Sequence, residues 1–148
     1  MPLIMIVVLL VILSGCAGGS EGSLVSKAVP ATDVGRMQAW DDAERVVALG
    51  EGRLTMIGTG KSMQPVYGEG TVLVLTKIDF ADLKPGMQVA YVNDDGRQVL
   101  HVLIAYDPER LGWKVRGLNN ESEDRARVTS SNLVGVVYAS FAPGEGLK

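Results

Sequence analysis

From Thr71 to Tyr138 the chain repeats one pattern: a short run of β-branched and apolar residues, then a break rich in Gly, Pro, Asn or Asp. The runs are residues 71–76 (TVLVLT), 88–92 (QVAYV), 98–106 (QVLHVLIAY), 113–116 (WKVR) and 133–138 (LVGVVY). Segments this short, bounded by turn residues, read as strands rather than helices. The breaks include Lys84-Pro85-Gly86, Asn93-Asp94-Asp95-Gly96 and Asp107-Pro108. The break at 93–96 has the composition of a tight hairpin turn, so it should pair the strand before it with the strand carrying His101. Ahead of the β region, residues 34–50 read as one helix. Asp33 is a candidate N-cap, Met37, Trp40, Val47 and Ala48 recur near helical spacing, and Gly50 follows the last turn. The expected fold is mainly β: an antiparallel sheet domain over 51–142, preceded by one short helix and followed by a tail at 143–148.

A chain of 148 residues has room for one compact domain and little else. Its net charge of −3, from 14 basic and 17 acidic residues, gives no electrostatic case for binding nucleic acid. The single cysteine excludes an internal disulfide. No Cys/His cluster has metal-ligand spacing and no Gly-rich loop has the phosphate-binding pattern, so neither a metal nor a cofactor is expected.

The N-terminus reads as an address. The apolar run from Leu3 to Leu13 is shorter than the roughly 20 residues a bilayer-spanning helix needs, and it ends in small residues as a secretory signal does. Its last residues, Leu13-Ser14-Gly15-Cys16, resemble the lipobox of bacterial lipoproteins. The resemblance implies a signal peptide at 1–15, diacylation of Cys16, and residence on the extracytoplasmic side of a bacterial membrane. The Gly/Ser-rich residues 16–33 then read as a flexible tether between lipid and domain.

Ser62 lies in Gly60-Lys61-Ser62-Met63-Gln64-Pro65, where flanking glycine permits unusual backbone angles and can hold a serine at an exposed bend. A hydroxyl is a weak nucleophile and needs a base within hydrogen-bond reach. His101 is the only histidine in the chain, and a neutral imidazole can accept that proton. On residue types alone a turn serine and a structural or exposed histidine explain the pair better than catalysis does. Lys61 reads as solvated, Met63 as packing beneath the serine or lining a cleft, and Trp40 and Trp113 as core or rim.

The order of short motifs around the pair adds to this. Gly60-x-Ser62-Met63-x-Pro65, Gly68-Glu69-Gly70 before a strand, Leu83-Lys84-Pro85-Gly86, Leu100-His101, Gly117-Leu118-Asn119-Asn120 and Asp124-Arg125 together resemble the type I signal peptidase family. The resemblance runs from residue 54 to about 140. The histidine at 101 places it with the archaeal and endoplasmic-reticulum branch, where bacterial members carry a lysine. The resemblance implies a coiled β-sheet domain and endoproteolysis with Ser62 as nucleophile, His101 as base and Asp124 as its orienting carboxylate. It also implies an extended peptide or protein substrate with small residues beside the scissile bond; the family tends to carry a membrane helix, whereas here the membrane is expected to be reached through the lipid anchor that the lipobox implies. Two positions depart from the pattern. Leu118 stands where the family commonly has aspartate, and Val102 where an arginine often follows the base. Ser122 is a further candidate helper, and Asp124 could instead form an ion pair with Arg125 or another neighbour. Leu118 also motivates the alternative of an inactive, peptidase-like lipoprotein that binds peptides or a protein partner.

Overall fold

The computed structural model describes residues 29–144. The expected signal at 1–15, the expected lipidation site Cys16, most of the expected tether at 16–33, and residues 145–148 lie outside them. One helix, α1 (Arg36–Ala48), precedes six strands: β1 (Arg53–Ile57), β2 (Val72–Thr76), β3 (Gln88–Val92), β4 (Gln98–Asp107), β5 (Gly112–Arg116) and β6 (Leu133–Phe141). They form a single sheet in the order β1-β2-β6-β3-β4-β5, with every pairing antiparallel. The sheet is open, with β1 and β5 at its two ends. The fold is therefore mainly β with one short helix. Among the described residues no helix is long and apolar enough to cross a membrane.

Alternation along the strands splits the core into clusters on both faces of the sheet. On β2, Val72 and Val74 face α1, while Leu73 and Leu75 face a second cluster with Met63, Ala90 and Leu100. Burial on both faces explains why residues 72–75 are uniformly apolar rather than alternating. A third cluster gathers Val89, Tyr91, Leu103, Trp113, Val115 and Val128. The 93–96 turn joins β3 to β4 as its composition required. Gly96 adopts φ +74°, and the Asn93 side chain accepts the N–H groups of Asp95 and Arg97.

Three expectations need correction. Asp33 does not cap α1; Gly35 occupies that position with no side-chain cap. The preceding chain is tied to the C-terminal segment instead, with the Thr32 hydroxyl donating to Ala142 O and Gly144 N–H donating to Val34 O. Gly144 is buried, so the packed body extends past 142 and begins before 34. The helix's buried face is Ala39 and Ala43, flanked by Trp40, Val46 and Val47. Met37 is 76% exposed and Ala48 is exposed as well. The small side chains at i and i+4 set the inward face, because they let the helix lie close on β2 and β6. Finally, β1 is a strand that the run pattern did not single out. Its alternate residues Leu54 and Met56 reach the second cluster once β1 is paired with β2.

Candidate active site

Ser62 is carried on a loop whose two ends are zipped together. Gly58 N–H donates to Thr71 O and Gly70 N–H donates to Gly58 O, each at 2.8 Å. Within the loop, turns close from Gln64 N–H to Lys61 O and from Val66 and Tyr67 N–H to Met63 O. Gly60 stands at φ +82°, a conformation that side-chain-bearing residues rarely adopt. Met63, only 6% exposed, plugs the loop into the core beside Leu73 and Leu100. A second clamp comes from the 117–120 loop: Asn119 N–H donates to Ser62 O (2.8 Å) and its side-chain amide donates to Lys61 O (3.1 Å). The serine is thus held from both sides through its backbone. Ser62 N–H makes no hydrogen bond among the described residues, which leaves it available as a donor.

His101 sits on β4, paired across the hairpin with Val89. Tyr91 is two residues along β3 from Val89, so it shares the His101 face of the sheet. Both side chains converge on one atom: Asp124 Oδ2 lies 2.5 Å from His101 Nδ1 and accepts the Tyr91 hydroxyl at 2.5 Å. An ionised carboxylate only accepts hydrogen bonds, so opposite one the proton of a neutral His101 ring sits on Nδ1 and the lone pair on Nε2. Burial, reinforced by the bond to Asp124, pushes the Tyr91 phenol well above its ordinary range. Tyr91 therefore stays a donor to Asp124. His101 is 6% exposed and Tyr91 1%, so both donors are largely shielded from bulk water.

Asp124 is itself fixed through its backbone. Its N–H donates to Val115 O (2.8 Å) and its carbonyl accepts Arg127 Nη1 (2.9 Å). The same guanidinium reaches Glu123 (3.0 Å) and Asp107 (3.1 Å), pinning the 123–127 segment to the end of β4. The hydrogen bond from Arg127 holds the Asp107 carboxyl below its ordinary value of 3.8. A lowered folded value means the contribution is fully present above the unfolded value and is lost as pH falls through the folded one. Arg127→Gln should accordingly unfold at lower urea than wild type at neutral pH. The gap should narrow once the pH drops below 3.8. Urea midpoints across that range check it; a gap that is constant with pH would rule out this pair as its source.

Gly117 marks where the serine and histidine meet. Pairing of β4 with β5 ends at Val102 and Arg116, so Gly117 is the next residue, opposite His101. A Cβ at Gly117 would lie 2.8 Å from Ser62 O, 2.8 Å from Asn120 Nδ2 and 2.9 Å from His101 Nε2. The bare nitrogen of His101 therefore faces the Ser62 loop across a glycine. Ser62 Oγ makes no hydrogen bond with it here; such bonds commonly tighten only when substrate is bound. Two cavities lie on either side of Asn93 and Val99, one bordered by the serine and the other by the histidine. One of about 270 Å³ is lined by Ser62, Met56, Met63, Tyr67, Gly68 and Leu100. The other, about 350 Å³, is lined by His101, Asp124, Tyr91, Asp94, Asp95 and Arg125. Asn93 and Val99 line both.

The structure bonds His101 to Asp124 and sets the Ser62 backbone carbonyl and His101 Nε2 on the two sides of Gly117, while the Ser62 side chain makes no hydrogen bond with either residue. Asp124 spends its carboxylate on His101 and Tyr91 rather than on Arg125. Leu118 is 44% exposed, and Ser122 is exposed and makes no hydrogen bond with His101. Lys61 is exposed. Among the described residues no cluster of three or more His, Cys, Asp or Glu side chains could hold a metal. The sequence reading missed Tyr91. Its position two residues from the partner of His101 was the available signal, but the register that makes it useful appears only in the folded sheet. Tyr91→Phe should cost about 1.5–3 kcal/mol of stability, the range for losing a hydrogen bond to a charged group. Chemical denaturation measures this directly, and an unchanged midpoint would contradict the bond. Compared with protein-family models and with curated proteins, the chain matches none.

Proposed function

We propose that the protein is a lipid-anchored serine endopeptidase of the signal-peptidase type, acting at the outer face of a bacterial membrane. The observation that carries this reading is the 2.5 Å bond between His101 Nδ1 and Asp124, which leaves Nε2 bare and turned toward the Ser62 loop. That is the arrangement a hydroxyl nucleophile needs: a base near it, and a third group that fixes the base's tautomer. The order of motifs resembling type I signal peptidases supports the same assignment. Position 118 does not weigh against it, since the carboxylate on His101 comes from position 124.

In this reading Nε2 of His101 takes the Ser62 proton as Oγ attacks the scissile carbonyl. The C–N bond breaks, the proton passes to the leaving amine, and the acyl group remains on Ser62 as an ester. Water then hydrolyses the ester with His101 again as base, restoring Ser62 and releasing a carboxylate. The free Ser62 N–H is the donor best placed for the developing oxyanion. Substrate backbone would lie along β4, where residues 98–101 have no β5 partner and residues 97–100 border the Ser62 cavity. Adding a strand to such an edge supplies main-chain hydrogen bonds without demanding particular side chains.

The test is a peptide library spanning small-residue cleavage sites, incubated with the full chain in detergent and read by mass spectrometry. Cleavage at defined bonds supports the endopeptidase. A well-folded protein that binds peptides and never cuts them overturns it in favour of a binding module.

A further inference from the structure

Asp124 has one carboxylate oxygen in use and one to spare. Oδ2 takes both His101 Nδ1 and the Tyr91 hydroxyl, each at 2.5 Å, while Oδ1 accepts no hydrogen bond among the described residues. The backbone of Asp124 is fixed at Val115 and Arg127, yet the carboxylate can still turn about its own side-chain bonds. It also has a second partner to turn to. Asp124 and Arg125 border the same 350 Å³ cavity, and Arg125 makes no ion pair among the described residues. A guanidinium presents donors in a fork that matches a carboxylate, so an unpaired arginine here competes for Asp124. Were Asp124 to take it, Nδ1 of His101 would lose its acceptor.

Of the two donors that hold the carboxylate back, only one is constant. In the proposed reaction the His101 ring gains and gives up a proton at Nε2 in every turnover, so its charge changes throughout. Tyr91 stays as it is. It is 1% exposed among Val89, Leu103, Trp113 and Val115, and burial together with the Asp124 bond keeps its hydroxyl protonated. The sheet register sets the spacing. Val89 pairs with His101 and Tyr91 with Val99, which makes the two rings diagonal neighbours on β3 and β4. Diagonal neighbours lie about 7–8 Å apart, a gap that one oxygen can bridge by accepting from both sides.

We propose that Tyr91 is a positioning residue that decides which partner Asp124 takes, His101 or Arg125. Its effect on cleavage rests on the Ser62/His101 reading; its hold on Asp124 does not. With the hydroxyl in place, Oδ2 stays on Nδ1 and Nε2 stays bare. Without it the carboxylate divides its time between His101 and Arg125. The proton of the neutral ring is then no longer confined to Nδ1, and Nε2 is bare for only part of the time. Tyr91 touches no reacting atom and acts on Ser62 only through Asp124 and His101.

The experiment labels histidine with a nitrogen isotope in the full chain, held in detergent, and reads the two ring nitrogens by NMR. The chain has one histidine, so the signals belong to His101. Spectra are taken at a pH high enough that both shifts have stopped moving. Wild type should show one protonated and one bare nitrogen; a ring that averages the two would overturn the proposal without any variant. In Tyr91→Phe the two shifts should draw together. On any peptide that wild type cuts, its kcat should fall about ten- to hundred-fold, the scale of losing one charge-assisted hydrogen bond, with KM nearly unchanged. Adding Arg125→Ala to Tyr91→Phe should restore the wild-type ring pattern and most of the lost kcat, which a merely structural loss would not allow. A folded Tyr91→Phe with the wild-type ring pattern and kcat would overturn the proposal. A pattern lost in Tyr91→Phe and not regained with Arg125→Ala would overturn Arg125 as the competing partner. A protein that shows the full sequence of ring patterns and cuts no peptide would support the hold on Asp124 and overturn the endopeptidase reading alone.

Discussion

Asp124→Ala should lower kcat on any cleavable peptide by about 10⁴-fold, the scale seen when the orienting carboxylate of a catalytic triad is removed. The cause is local. Asp124 Oδ2 accepts from both His101 Nδ1 and the Tyr91 hydroxyl, and without it the ring loses the partner that keeps its proton on Nδ1. The two donors are then left buried without an acceptor, at a cost of about 1–3 kcal/mol each in stability, so the assay belongs well below the unfolding temperature. Asp124→Asn separates the two roles. An amide oxygen in the same place can still accept from both donors, so the tautomer survives and only the charge that steadies the imidazolium is lost. Its kcat should fall between wild type and Asp124→Ala. Steady-state kinetics on the three proteins read this order. Equal losses for Asn and Ala would mean that charge, not orientation, is what Asp124 supplies.

Gly117→Ala is the second large effect, although residue 117 itself carries no reacting atom. The added methyl would sit 2.8 Å from Ser62 O and 2.9 Å from His101 Nε2, closer than carbon tolerates. Ser62 O is backbone held by Asn119, and His101 is held by Asp124, so neither side yields without moving the other's partner. A displacement of the order of 1 Å between nucleophile and base costs about 10²-fold in rate. Overpacking of this kind typically costs about 1–3 kcal/mol in stability as well. The expected result is a folded protein with kcat down about 10²-fold and KM nearly unchanged. A variant that folds and retains wild-type kcat would show that Ser62 and His101 do not act across this contact.

Much of the architecture could be read from residue pattern, and the reason is the sheet's own periodicity. The strands at 88–92 and 98–106 and the turn at 93–96 came from local alternation and turn chemistry, which the structure preserves. What escaped was decided by packing. The first strand, Arg53–Ile57, has too little apolar contrast to stand out until β2 pairs with it. The helix face follows Ala39 and Ala43, because close approach to the sheet favours small residues over the larger Met37. The cap at Asp33 gave way to contacts with residues 142 and 144, which no local signal announces. At the site, Ser62, His101 and Asp124 were named because they match the order of motifs in the resembled family. Tyr91 and Arg127 were not, and Gly117 was read only as part of a motif, since each acts through a register or loop crossing made only in three dimensions.

The central claim is that Ser62 is a nucleophile served by His101. Its most direct test takes the peptide cut fastest by wild type and measures single-turnover cleavage by Ser62→Ala and by His101→Ala, with circular dichroism confirming that both variants fold. The account predicts loss of about 10⁴-fold or more in each, and no further loss when the two substitutions are combined. Undiminished cleavage by folded Ser62→Ala would contradict it.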